Sequence, residues 1–204
     1  MNSFLDCVTK DDLSMFTDLY ELAMGASYFD NGKFEPATFD LFIRKMLPDR
    51  SYFVFAGLEQ ILVFLEKMRF TPEHIEFLKE EGFKDEFLEY LKAYKFTGDV
   101  WAVPEGNVVF SSEPLVRVTA PIIEAQLIET FLLNTVNLQT MIATKASRVV
   151  TAARGKPVIE FGLRREHGID AGMKVARSSY IAGCGGTSNV LAGMQYGIPV
   201  FGTM

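Results

Sequence analysis

Residues 157–204 read PVIEFGLRREHGIDAGMKVARSSYIAGCGGTSNVLAGMQYGIPVFGTM, and this stretch decides the fold. Val158–Gly162 is a short apolar run that ends in a glycine. Helical spacing follows around Ala171–Ser178, then a second strand at Tyr180–Ala182, a helix over Ser188–Gln195 and a third strand at Pro199–Gly202. Strand, helix, strand, helix, strand at this spacing predicts parallel βαβ units. Parallel strands are buried on both faces and need neighbours on each side. A closed barrel of such units takes roughly 250 residues. The expectation is therefore an α/β chain holding the first three strands of a barrel, incomplete in this chain, with no partner strand after Pro199–Gly202.

Upstream of this stretch, a long helix is expected from Pro121 to Arg154, broken near Asn134 and stopped at Gly155, with Pro157 just past its end. From Phe96 to Pro121 the short β-rich runs VWAV, VVFS and LVRVTA are interrupted by Pro104, Gly106, Asn107 and Pro114, which predicts a small antiparallel sheet. Helices are expected over Lys84–Tyr94, from the Thr71-Pro72 start, and over Gly57–Met68. Strands are expected at Ser51–Ala56 and where Phe39, Leu41 and Ile43 alternate with polar residues. The first helix starts at Thr17 or Asp18, with Glu21 in the capping-box relation to Asp18. It runs to Phe29, before the turn Asp30-Asn31-Gly32. The domains expected are an α+β unit over 1–120 and, over 121–204, the long helix and the start of an irregular parallel α/β barrel, truncated at the third strand.

Bulk composition narrows the function. Of 204 residues, 49% are hydrophobic and 18 are phenylalanine, enough for a packed core. The net charge of −6 is spread along the chain, which argues against a nucleic-acid or anionic-membrane surface. Cys7 and Cys184 have no metal-ligand spacing and suggest a reducing compartment without disulfides. The first twelve residues lack an apolar segment, so no signal peptide is expected. The apolar stretch 121–153 carries Glu124, Glu129, Asn134, Asn137, Lys145 and Arg148, too many polar groups for lipid. A cytoplasmic protein is expected.

In parallel α/β folds ligands sit at the C-terminal ends of strands. Arg164-Arg165 follows the first strand and Gly162, so two guanidinium forks either grip phosphate or carboxylate oxygens or sit solvated on the surface. The run Gly183-Cys-Gly-Gly-Thr-Ser-Asn opens a helix, where an N–H-rich turn favours anions, but it matches neither nucleotide fingerprint and also reads as a plain strand-to-helix turn. Lys145 and Arg148, one turn apart beside Thr144, are either an anion-binding pair or a polar surface stripe. His74, between glutamates on an amphipathic helix, reads as a surface residue; His167 reads as lining the arginine cleft. No metal-ligand set and no nucleophile–base pair is found.

Taken together, TDLYELAMGASYF, EPLVRVTAPIIEAQLIETFLLNTVN, ATKASRV, EFGLRREHG, GGTSN and PVFGTM follow the order and spacing of nicotinate phosphoribosyltransferases, and from about Thr17 the chain resembles that family. The resemblance implies an N-terminal α/β domain, an irregular α/β barrel and a homodimer with shared active sites. It implies that nicotinate and phosphoribosyl pyrophosphate are joined to give nicotinate mononucleotide and pyrophosphate in NAD salvage, with ATP as the drive and Mg²⁺ on the phosphates. Tyr20 would stack on the pyridine ring in the neighbouring subunit's site, supported by Asp18. Phe161 would lie near the ring, and Thr203 would touch nicotinate. Arg164, and less directly Arg165, Arg148 and Lys145, would serve the phosphates.

Where the nicotinamide-using relatives have an aspartate, this chain has Ser188. A carboxylate there would accept a bond from an amide NH₂ but repel nicotinate's own carboxylate, so Ser188 favours the acid. The resemblance also implies that GTM continues into Ala-His-Ser, whose histidine ATP phosphorylates; Met204 falls two residues short of it. The alternatives are a truncated non-catalytic remnant, one half of a split enzyme, or a nicotinamide- or quinolinate-using relative.

Overall fold

The computed structural model of the chain describes residues 9, 11–46 and 48–203. Cys7, most of the twelve residues read as lacking a signal peptide, and Met204 lie outside the described residues. In chain order the elements are α1 (Leu19–Asp30), β1 (Pro36–Phe42), β2 (Phe53–Val54), α2 (Leu58–Lys67), α3 (Pro72–Glu80), α4 (Asp85–Lys92), β3 (Asp99–Ala102), β4 (Val108–Val109), β5 (Pro114–Pro121), α5 (Ile122–Gln126), α6 (Glu129–Ala152), β6 (Ile159–Glu160), α7 (Ile169–Ile181), β7 (Gly186–Thr187) and α8 (Val190–Tyr196). Among the described residues no helix is long and apolar enough to cross a membrane.

The chain divides into two compact units, each assembled from three segments. The first takes Met1–Leu41, Glu59–Trp101 and Val116–Asn134. Its sheet has the order β1-β5-β3. Its core is aromatic: Phe29 lies 5.8 Å from Phe87 and 5.4 Å from Tyr90, and Phe64 stacks on Phe131 at 3.9 Å. Gly25 lets α1 pack tightly on its neighbours, because a Cβ there would already be 3.4 Å from the Phe87 ring and 3.5 Å from Ile123.

Two local expectations fail in this unit for identifiable reasons. Asp18 caps α1 by its backbone conformation, with no side-chain bond, because Glu21 turns inward instead. Glu21 is fully buried, accepting from Thr17 Oγ1 at 2.6 Å and from Thr130 N–H at 3.0 Å. Burial pushes its carboxyl above the ordinary value despite the Thr130 and Thr17 bonds. His74 is buried, not a surface residue. Its Nδ1 accepts from Thr71 N–H at 3.2 Å and lies 3.4 Å from Ser14 Oγ, while Nε2 faces Asp12 at 3.5 Å. It completes a capping box with Thr71, a part usually played by glutamate or glutamine.

The second unit takes Phe42–Leu58, Ala102–Leu115 and Thr135–Met204. Here β2 and β4 pair antiparallel in the register Phe53↔Val109 and Val54↔Val108. The runs VWAV, VVFS and LVRVTA therefore do not form one antiparallel sheet: VVFS pairs with the SYFVFA strand, and the other two belong to the three-stranded sheet. Val54 and Ala56 bury against Ala143, and their N–H groups donate to Thr144 Oγ1 at 2.9 Å and Thr140 Oγ1 at 3.2 Å. Thr144 of ATKASRV and Thr140, one turn before it, thus finish a strand edge that would otherwise end in unpaired donors. A half-buried glutamate, Glu105, accepts from Gly57 N–H at 2.5 Å and from Leu58 N–H at 3.1 Å, and takes both guanidinium arms of Arg177 at 2.9 and 2.7 Å.

The expected helix break near Asn134 lies earlier, at Leu127 and Ile128 between α5 and α6. Asn134 is an ordinary residue of α6, whose side chain costs a helix interior only a few tenths of a kcal/mol, about 0.7 at most. The second of the expected parallel strands is also displaced. Tyr180 and Ile181 end α7, Ala182 caps it, and the strand is Gly186–Thr187. The stop is a Schellman turn: Gly183 has φ 101°, its N–H donates to Tyr180 O at 3.0 Å, and Cys184 N–H donates to Ser179 O at 3.0 Å.

Candidate functional site

Two short strands of the second unit, β6 and β7, lie parallel, and the expected third strand, Pro199–Gly202, is reduced to a single parallel bridge at Val200 beside them. β6 pairs with β7 in the register Ile159↔Gly186 and Glu160↔Thr187, and Thr187 bridges to Val200 in the parallel sense. The ladder is Gly185 N–H to Val158 O at 2.8 Å, Ser188 N–H to Glu160 O at 2.9 Å, Thr187 N–H to Pro199 O at 3.0 Å and Phe201 N–H to Thr187 O at 2.9 Å. Side chains just after these ends face the place where α/β folds put ligands. They are Phe161 to Arg165 after β6, Ser188 after β7, and Gly202 and Thr203 after the third strand.

The arginine turn is a short 3-10 helix, Leu163–Arg165, entered through Gly162. Leu163 anchors it, reaching so near Gly172 of α7 that a Cβ at Gly172 would be 2.7 Å from Leu163 Cδ1. Arg164 and Arg165 are exposed, and no ion pair holds either among the described residues. Phe161 is 49% exposed and Phe201 45%, large apolar surface to leave at strand ends. Ser188 is half-buried and Thr203 exposed. Asn189 caps α8, its Oδ1 accepting from Ala192 N–H at 3.1 Å while its Nδ2 donates to Gly172 O at 3.2 Å.

Lys145 and Arg148 part company. The charge of Lys145 is felt by Glu166 beside the arginine turn. Arg148 instead lies 3.7 Å from Asp49, and both are exposed. The sequence reading missed two carboxylates here. Glu160 and Glu166 approach Gly162 from two sides; a Cβ at Gly162 would be 2.5 Å from Glu166 Oε1 and 3.0 Å from Glu160 Oε1. Burial, then the charge of Glu160, push Glu166 above the ordinary carboxyl value, opposed by His167 and Lys145. His167 thus does sit by the arginine turn.

In the first unit, Tyr20 leaves its ring 46% exposed while its hydroxyl donates to Glu129 Oε2 at 2.7 Å, an oxygen that Gln126 Nε2 also reaches at 3.2 Å. Burial, then the Glu129 bond, push the phenol far above its ordinary value. Asp18 is bonded by Thr130 Oγ1 at 3.1 Å, so it bears on Tyr20 through charge alone. An apolar groove beside Glu129, lined by Phe39, Val118, Ile128 and Leu132, holds about 130 Å³. That is below the usual ~300 Å³ of a small-molecule pocket.

Among solved structures, the fold is shared with human nicotinic acid phosphoribosyltransferase at a TM-score of 0.85 and 36% identity, over 92% of this chain and 39% of that one. A nicotinate-nucleotide pyrophosphorylase from Pyrococcus furiosus has the same fold at a TM-score of 0.80 and 23% identity, over 100% of this chain and 45% of its own. The class is therefore a pyridine-nucleotide phosphoribosyltransferase fold. Residues 15–137 match the nicotinate phosphoribosyltransferase (NAPRTase) N-terminal domain. A nicotinate phosphoribosyltransferase of Mycobacterium tuberculosis is 55% identical over 94% of this chain, and one of Bacillus subtilis is 47% identical over 95% of it. The chain belongs to the nicotinate phosphoribosyltransferase family. It spans 42% and 40% of the lengths of these two relatives.

Proposed function

We propose that the protein carrying this sequence joins nicotinate to phosphoribosyl pyrophosphate, giving nicotinate mononucleotide and pyrophosphate with ATP hydrolysis as the drive, in cytoplasmic NAD synthesis. The observation that carries the reading is the 55% identity, over 94% of this chain, to a relative named for that activity. In this reading the parallel strands open an irregular α/β barrel. The protein is a homodimer in which Tyr20 serves the neighbouring subunit's site.

The chemistry suits the residues. The bond from ribose C1 to pyrophosphate breaks through a cationic, oxocarbenium-like state, which needs the leaving group neutralised and the ring nitrogen positioned more than it needs a strong base. Arg164 and Arg165, which no ion pair holds among the described residues, are open to phosphate oxygens, with Lys145 nearby and Arg148 further along α6. Phe161 offers a ring face to the pyridine, and Ser188 and Thr203 offer hydroxyls to its carboxylate. Among the described residues no cluster of three His, Cys, Asp or Glu side chains could hold a metal. Mg²⁺ would come to this site on the substrate's phosphate oxygens, beside Arg164 and Arg165. There it would offset charge on the pyrophosphate as it leaves.

The test is pyrophosphate release with nicotinate and nicotinamide in competition, for wild type and Ser188→Asp. Nicotinate is expected to be the faster substrate, and Ser188→Asp to lower its kcat/KM by about tenfold or more through carboxylate repulsion. Faster turnover of nicotinamide by the wild type would overturn the proposal.

A further inference from the structure

We propose that Glu160 is a positioning residue: its carboxylate latches the Arg164 turn to the Ser188 turn, and so sets the spacing between the phosphate-binding and ring-binding groups. The inference rests on the functional reading above. Glu160 is the last residue of β6, and its two oxygens are divided between two loops. Oε1 accepts from Gly162 N–H, at the entrance of the turn that carries Arg164. Oε2 accepts from Thr187 Oγ1 at 2.6 Å, and Thr187 directly precedes Ser188. The backbone carbonyl of Glu160 takes the Ser188 N–H at 2.9 Å. Thr187 Oγ1 in turn accepts from Asn189 N–H at 3.0 Å, which carries the chain of bonds to the cap of α8.

Two features separate this from an ordinary strand-end bond. Among the described residues no cation is bonded to Glu160, although its charge disfavours ionisation of both Glu166 and Cys184. A neutral side chain would avoid that cost. What only a carboxylate supplies here is two acceptor oxygens facing two different loops; glutamine offers one oxygen and a donor. Gly162 fits the same account, since any side chain there would meet the carboxylates that close over it.

The test uses Glu160→Gln, Thr187→Val, Thr187→Ser and the double variant Glu160→Gln/Thr187→Val. Losing one charge-assisted bond predicts a rise of about tenfold in the KM for nicotinate in each of the first two. Thr187→Ser, which keeps the hydroxyl, restores the wild-type value. The double variant should be no worse than the worse single one, because both break the same latch. A merely structural role would lower the melting temperature and the amount of active enzyme while leaving KM alone. Hydrogen exchange is the second readout: Glu160→Gln and Thr187→Val should speed exchange at Gly162 and Ser188 together. Unchanged exchange and KM in an active enzyme would overturn the latch, as would Thr187→Ser behaving like Thr187→Val. A wild type without nicotinate-dependent pyrophosphate release would overturn the functional reading instead, and the exchange data would still decide the latch.

Discussion

Replacing Gly186 by alanine places a methyl group where β7 meets the third strand. The new Cβ would be 2.5 and 2.7 Å from Cε2 and Cδ2 of the Phe201 ring, and nearer still to Pro199 O. Ordinary carbon contacts lie at about 3.5–4.0 Å, so roughly 1 Å of movement is demanded. A ring could turn aside, but Pro199 O accepts the Thr187 N–H at 3.0 Å and cannot retreat without lengthening that bond. Overpacking of this kind costs about 1–3 kcal/mol, and a lost ladder bond adds about 1 kcal/mol. The sum of about 2–4 kcal/mol should lower the melting temperature by about 5–15 °C in a chain of this size. The assay is a thermal melt followed by circular dichroism, with Gly202→Ala as control, since a Cβ at Gly202 meets nothing within 4 Å. A Gly186→Ala protein melting within about 2 °C of wild type would refute the packing argument.

Arg177→Met should cost about 3 kcal/mol in chemical denaturation at neutral pH, because it leaves Glu105 charged and half-buried without its partner. Burial raises the Glu105 carboxyl, but Arg177 and the Gly57 and Leu58 N–H groups overcome it and hold it below the ordinary value. Its contribution is therefore present above about pH 4.3 and lost as pH falls through the depressed value, so the gap between wild type and Arg177→Met should narrow in acid. Thr144→Val keeps the volume but strands the buried Val54 N–H, for about 1–3 kcal/mol, whereas Thr144→Ser should lose only about 1 kcal/mol.

Much of the fold was legible where periodicity and punctuation agreed. Thr71-Pro72 opened α3, and Asp30-Asn31-Gly32 closed α1, because capping and turn chemistry are local. Tyr180–Ala182 misled because an aromatic and a β-branched residue ahead of glycines resemble a strand. The better signal was Gly183 itself, the left-handed residue on which α7 stops. Glu21 and His74 were misread because only tertiary partners reveal their places: Glu21, spaced like a capping partner of Asp18, turns inward to Thr130, and His74, polar on an amphipathic helix and so read as surface, meets Ser14 and Asp12. The positions of the arginines, Ser188 and Phe161 just past strand ends were legible in sequence order. The role of Glu160 was not, because it lies in joining Gly162 to Thr187, 25 residues apart in sequence but adjacent across a parallel ladder.

The interleaving of the two units has a consequence for synthesis. Each is stitched from three separate stretches, so no single point along the chain divides one from the other. The SYFVFA segment is made early, yet Thr140 and Thr144, which take its N–H groups, are translated more than eighty residues later. At ~5–20 residues per second that interval is on the order of ten seconds. During it, an aromatic, uncharged β-former waits on the ribosome without its native cover, which makes it a natural client for a chaperone and the first place to look if the protein aggregates on expression.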